Sequence, residues 1–221
     1  MKLDIISKSE AARYMGVRGE PDEVIAEILD KYEEIVRNQL KPAYVYRESS
    51  VVSCGDGICI NGINTLFMGN DIKNHLKGCD RVIIFAATVS AAADKLIRQI
   101  SVTDTAAAFA VDCLCSAAIE QVCDKAEQEI FTEIHAPYRT WRFSPGYGDL
   151  PVSLQKDLLL FLNAQRRIGL TVTDSCMLIP SKSVTAIIGI SDFPQKHSKK
   201  GCNICNMRES CAFRHNGGCG K

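Results

Sequence analysis

Apolar residues recur at Val24, Ile25, Ile28, Leu29, Tyr32, Ile35 and Val36 inside an otherwise charged stretch, the spacing of one helical face. This predicts an amphipathic helix over 24–40, opened by Pro21-Asp22-Glu23 and ended by Pro42. Upstream, Ser7 or Ser9 is placed to cap a short helix through Tyr14. Between 43 and 67 the pattern shortens to β-rich pieces, Tyr44-Val45-Tyr46, Ser50-Val51-Val52 and Ile58-Cys59-Ile60, punctuated by Gly55, Gly57 and Gly62. Residues 70–77 suit a short helix closed by Gly78. The continuous apolar run 81–87 reads as a strand buried on both faces.

Residues 90–100 and 104–134 are alanine-rich and free of Pro and Gly, which predicts two helices, the second longer than about seven turns. Pro145, Gly146, Gly148 and Pro151 make 142–151 an irregular loop. Beyond it Ser153 is placed to cap a helix through Arg166 or Arg167, ended by Gly169, with strands expected at 170–173 and 183–190. Apolar positions then nearly vanish. The pattern predicts one α+β domain, 1–191, with a twisted antiparallel sheet and long helices, and a Cys-rich tail, 192–221.

The 221 residues carry 26 Lys+Arg against 26 Asp+Glu, so no net field favours a nucleic-acid backbone or an anionic membrane surface. No apolar run is read as approaching the ~20 residues of a membrane span, and Met1 to Glu10 lacks the apolar stretch of a signal peptide. The expectation is a cytoplasmic protein whose 11 cysteines are thiols or metal ligands rather than a disulfide framework. Cys54, Cys59, Cys79, Cys113, Cys115, Cys123 and Cys176 read as small hydrophobes. Cys202, Cys205, Cys211 and Cys219 instead crowd a hydrophilic, glycine-rich stretch. Four thiolates there suit tetrahedral zinc or an iron–sulfur cluster, and the spacing leaves both open. Of the four histidines, His75 and His135 read as surface or turn residues.

Arg142-Phe143-Ser144-Pro145-Gly146-Tyr147 sets a guanidinium and a phenol on either side of a rigid turn. Proline fixes φ and glycine admits conformations closed to other residues, while the planar guanidinium fork matches a carboxylate. After an amphipathic helix come Gly169-Leu170-Thr171-Val172-Thr173-Asp174-Ser175 and Met177-Leu178-Ile179-Pro180-Ser181-Lys182-Ser183-Val184-Thr185. In this order the segments resemble the activation domain of cobalamin-dependent methionine synthase, and the chain looks like a free-standing, single-domain member. The upstream helix, with Asp112 and Glu120, resembles the family's long helix.

The resemblance implies an S-adenosylmethionine site in a shallow groove. Arg142 would meet the methionine carboxylate, the backbone around Ser144, Pro145 and Gly146 would face the ligand, and Tyr147 would lie near ligand and corrin. Glu120 would orient polar groups beneath. The implied function is accessory to a methyltransferase. The chain would be a reactivation partner that positions the methyl donor for reductive methylation of cob(II)alamin on a methionine synthase or other corrinoid protein. The electron would come from a donor of the flavodoxin or ferredoxin type. No side-chain nucleophile is needed, only positioning. The family's early Asp-Trp segment is missing, since the only tryptophan is Trp141, and Phe193 and His197 stand where the family has tyrosines. Two other readings stay open: a metal- or iron–sulfur-tailed redox activator, and a docking adaptor of a corrinoid protein.

Overall fold

In the computed structural model, which describes residues 1–194, local signals at the ends of elements set most boundaries. α1 (Lys8–Tyr14) begins where the Ser7 side chain accepts the Glu10 N–H, and α2 (Glu23–Gln39) where Asp22 accepts the Ile25 N–H. There follow β1 (Ala43–Cys54), β2 (Gly57–Ile60), β3 (Phe67–Met68), α3 (Asn70–His75), β4 (Arg81–Thr88), α4 (Ala91–Ser101) and α5 (Thr105–Glu133). The chain continues through β5 (Tyr138–Arg139), a 3-10 turn (Val152–Leu154), α6 (Gln155–Leu162), α7 (Ala164–Ile168), β6 (Thr171–Val172), β7 (Leu178–Ile179) and β8 (Ser183–Ser191). The α+β class with a mainly antiparallel sheet is as expected.

One six-stranded sheet has the order β3-β2-β1-β4-β8-β5, and β6 and β7 form a separate hairpin. β1–β2, β2–β3 and β5–β8 pair antiparallel. β4 and β8 are sheathed on both faces. Val82, Ile83, Ile84 and Phe85 are each at most 1% exposed, and each such side chain stabilises the fold by roughly 1.5–3 kcal/mol.

Contacts group the chain into two units, and their boundary falls within β1, β4 and β8. The first comprises Met1–Val45, Ala86–Glu133 and Asn163–Val184. Its axis is α5, packed by α1, α2 and α4. Ala107, Ala110, Ala118, Cys115, Cys123 and Ala126 are buried along it, and these small side chains let neighbouring helices approach closely. Burial pushes the Cys113 thiol up to about 11 and Cys115 to about 12, as fits thiols that pack rather than react. The N-terminal segment is strapped to α5: the Asp4 N–H donates to Gln121 Oε1, and Gln121 Nε2 donates to the Ile5 carbonyl.

The second unit comprises Tyr46–Phe85, Ile134–Leu162 and the described residues from Thr185. It holds most of the β1–β2 hairpin, α3, α6 and the 142–151 loop.

Several expectations change. The two pieces read at 44–46 and 50–52 are one strand, β1, which lies between β4 and β2 in the sheet and pairs with β2 over Val51 to Cys54. The helix foreseen from Ser153 begins instead with a 3-10 turn after Pro151 and breaks at Asn163, which sits in the left-handed region that asparagine tolerates. Cys54 and Cys59 are joined in a disulfide; the hairpin register, Cys54 opposite Gly57 and Cys59 opposite Val52, brings their Cα atoms to 5.8 Å. α5 is, contrary to the reading of the apolar runs, long and apolar enough to cross a membrane by length and composition. Two-thirds of its most apolar window, 67%, is nevertheless buried inside the protein.

Candidate functional site

The chain reaches the 142–151 loop from β5, where Tyr138 and Arg139 pair with Ser191 and Ile190 of β8. The Thr140 N–H donates to the Gly189 carbonyl at 2.9 Å, and Phe143 and Ile187 exchange main-chain hydrogen bonds of 3.0 and 2.8 Å. Beyond this bridge the chain turns: the Tyr147 N–H donates to the Ser144 carbonyl at 3.0 Å. Pro145 and Gly146 occupy the turn's centre, and Gly146 at φ 93° supplies the left-handed residue a type II turn requires. Phe143 and Pro145 are buried and anchor the turn from below, Arg142 and Ser144 are half-buried, and Gly146 and Tyr147 are exposed.

The far end of the loop is tied to α3. The Asp149 carboxylate accepts the N–H groups of Asn70 (2.6 Å) and Asp71 (3.1 Å), while Asp71 Oδ2 accepts the Asp149 N–H at 3.1 Å. This reciprocal pair does what a capping box does within one helix, and it puts negative charge at the positive end of α3. The approach is so close that a Cβ at Gly148 would run into the Asp71 carboxylate, and one at Gly69 into Asp149. Both glycines also have positive φ.

Beneath Tyr147 lies an aromatic cluster. The His75 ring is 4.9 Å from Trp141 and 4.8 Å from Phe143, and Tyr147 is 6.1 and 6.2 Å from the same two rings. His75 is buried, not the surface residue its polar neighbours imply. Its Nε2 lies 2.8 Å from Thr140 Oγ1, and its Nδ1 is enclosed without a hydrogen-bond partner. Burial lowers its pKa to about 4, against backbone interactions with Trp141 and Ile187 that pull the other way. The imidazole is therefore neutral at pH 7.

Arg142, Ser144, Pro145, Gly146 and Tyr147 thus share one anchored loop of the second unit. Glu120 belongs to the first unit, exposed on α5, where after burial its charge is the main cause of the raised pKa of Tyr14. The later motif, as far as Val184, is also in the first unit, around the β6–β7 hairpin and the cis peptide Ile179–Pro180. There Lys182 Nζ donates to Asp112 and Ser116, each at 2.8 Å. Ser181 binds Asp94, and the Ser183 hydroxyl donates to Thr88 at 2.8 Å. Asp112 is thereby the ion-pair partner of a motif lysine. The role assigned to it in the family likeness was only that of a helix landmark.

Thr140, Asp71 and Asp149 have no role in the sequence reading, and His75 has only that of a surface or turn residue. The nearest signal for them was the glycine content of the loop. A cavity of about 280 Å³ lined by Arg47, Asn64, Asp157 and Phe161, among others, contains none of the expected ligand residues. Cys202, Cys205, Cys211 and Cys219 lie outside the described residues. Among the described residues no group of three or more His, Cys, Asp or Glu is arranged to hold a metal ion.

No curated protein matches the chain. Among solved structures, the crystal structure of the MetH reactivation domain bound to AdoHcy is similar, with a TM-score of 0.65 and 16% sequence identity. The match covers 90% of this chain and 79% of that one, and at such identity it speaks for the fold. The family model for the vitamin B12 dependent methionine synthase activation domain matches residues 72–197, which takes in α3 from its third residue, the anchored loop and the whole of the Gly169-to-Thr185 segment. With more than half of its length matched, the chain belongs to the family of vitamin B12 dependent methionine synthase activation domains.

Proposed function

We propose that the chain binds S-adenosylmethionine on the 142–147 loop and presents it to the corrinoid of a partner methionine synthase, as the reactivation component of that enzyme. The observation that carries the reading is the loop itself, an arginine and an exposed tyrosine on a turn tied to β8 at one end and to α3 at the other. The donor set fits the ligand. Arg142 offers a planar fork for the α-carboxylate, the turn at 144–147 lets the ligand approach main chain without a side chain at Gly146, and Tyr147 offers an aromatic face. The similar solved domain holds AdoHcy, which shares the adenosyl and homocysteine parts of this ligand.

The bound ligand supplies a methyl group at a sulfonium centre, and the electron that reactivation of cob(II)alamin also needs comes from a separate donor. This chain's share is orientation. A loop held at both ends keeps Arg142 and Tyr147 in place before the ligand arrives, so less order is lost on binding.

The test is calorimetric titration of the anaerobically purified chain with S-adenosylmethionine, beside Arg142→Ala. Saturable binding by the parent, weakened about tenfold or more in the variant, is expected from removal of a charge-assisted bidentate contact. A folded parent that binds nothing sinks the reading. Function would then move to the second proposal, in which Cys202, Cys205, Cys211 and Cys219 hold zinc or an iron–sulfur cluster; metal content and the visible spectrum of the same sample decide that.

A further inference from the structure

We propose that Thr140 is the positioning residue of the ligand loop, its hydroxyl holding a β-bulge that aims Trp141 and Arg142 out of the sheet's alternation while His75 locks that hydroxyl in place. The inference deepens the reading above and rests on it for the identity of the ligand.

The register carries the argument. Arg139 lies opposite Ile190 and Phe143 opposite Ile187, so three residues, Thr140, Trp141 and Arg142, span the gap that Ile188 and Gly189 span on β8. One residue is extra. Such an insertion breaks the in-and-out alternation of a strand and re-aims the side chains beside it. Here those side chains are the arginine assigned to the ligand and the indole beneath Tyr147.

The start of the bulge is marked by an exchange of acceptors. In a hydrogen-bonded antiparallel pair two residues trade both main-chain bonds. Thr140 donates its N–H to the Gly189 carbonyl, but the Gly189 N–H donates to Thr140 Oγ1, at 2.7 Å. The hydroxyl stands in for the main-chain carbonyl. Having accepted from Gly189, it also hydrogen-bonds His75 Nε2 at 2.8 Å, a pair in which either atom can donate, and lies 3.4 Å from the Trp141 carbonyl. Thr140 and His75 are both buried, so water does not replace either bond. Gly189 permits the close crossing, since a Cβ there would lie 2.6 Å from Cys79 Sγ and 3.2 Å from Thr140 Cγ2.

Thr140→Val keeps the shape and removes the hydroxyl, whereas Thr140→Ser keeps the hydroxyl. Trp141, the chain's one tryptophan, reports the geometry by its fluorescence. In the valine variant the affinity for S-adenosylmethionine is expected to fall about tenfold, with a shifted Trp141 emission and greater quenching by acrylamide. The serine variant is expected to restore all three. A valine variant with parental affinity and parental emission overturns the proposal. If that variant does not fold, His75→Phe, which keeps a ring and loses the bond to Thr140, must shift the emission and weaken binding; a folded His75→Phe with neither change overturns it equally. Should the parent itself fail to bind, the functional reading falls while the emission of valine against serine still judges the bulge.

Discussion

At the scale of single residues, the group with the largest consequence is His75. Its polar neighbours Asn74 and Lys77 disguise a side chain enclosed by Trp141 and Phe143, more than sixty positions away, and no local pattern reports such a partner. Because the folded imidazole resists protonation until about pH 4, while an unfolded histidine takes its proton near 6.5, the unfolded state binds more protons between those values. Stability therefore falls as pH drops through that window and is insensitive to His75 above it. The loss attributable to this group is roughly 3 kcal/mol by pH 4. Urea denaturation at a series of pH values, parent against His75→Phe, measures it: the variant's curve should lack this component, and identical slopes for the two proteins would exclude it. Arg142 and Tyr147, by contrast, lie on either side of a Pro-Gly turn within six consecutive residues, so their placement on one loop was legible in the sequence.

At the scale of elements, caps and breakers did most of the work. Ser7 and Asp22 start their helices from the adjacent side chain, and Gly169, at φ 68°, ends α7. α3 has no such local cap, since Gly69 precedes it, and its first N–H groups are satisfied by Asp149 from across the loop. Asp149→Ala should therefore lower the stability of the protein by about 1 kcal/mol, the usual cost of a lost N-cap. It should also free the far end of the 142–151 loop and weaken S-adenosylmethionine binding. Thermal unfolding and a titration read the two effects. A variant with parental stability would mean that α3 does not depend on this carboxylate. The break at Asn163 and the fusion of β1 escaped the sequence for a common reason. A helix pattern continues through one left-handed residue, and a strand pattern is interrupted by polar residues that a neighbouring strand nevertheless pairs.

At the scale of the whole molecule, stability should be graded. β4 and β8 are buried on both faces, and α5 is covered by α1, α2 and α4. Native-state hydrogen exchange is expected to leave the amides of β4 and α5 slowest, with the exposed 146–147 turn and the short α7 far faster. Exchange in α5 as rapid as in α7 would contradict a core built on that helix. The chain's own sequence determined the helices, the doubly buried strand 81–87 and the family motifs, because periodicity, small residues and Pro-Gly chemistry act over a few neighbouring positions. Only the tertiary structure decided which motif residues share a surface, that Cys54 meets Cys59, that His75 is interior and that a hydroxyl on Thr140 replaces a carbonyl in the ladder. Each of those depends on register between segments distant in the chain, and register is set by packing, which no window of sequence contains.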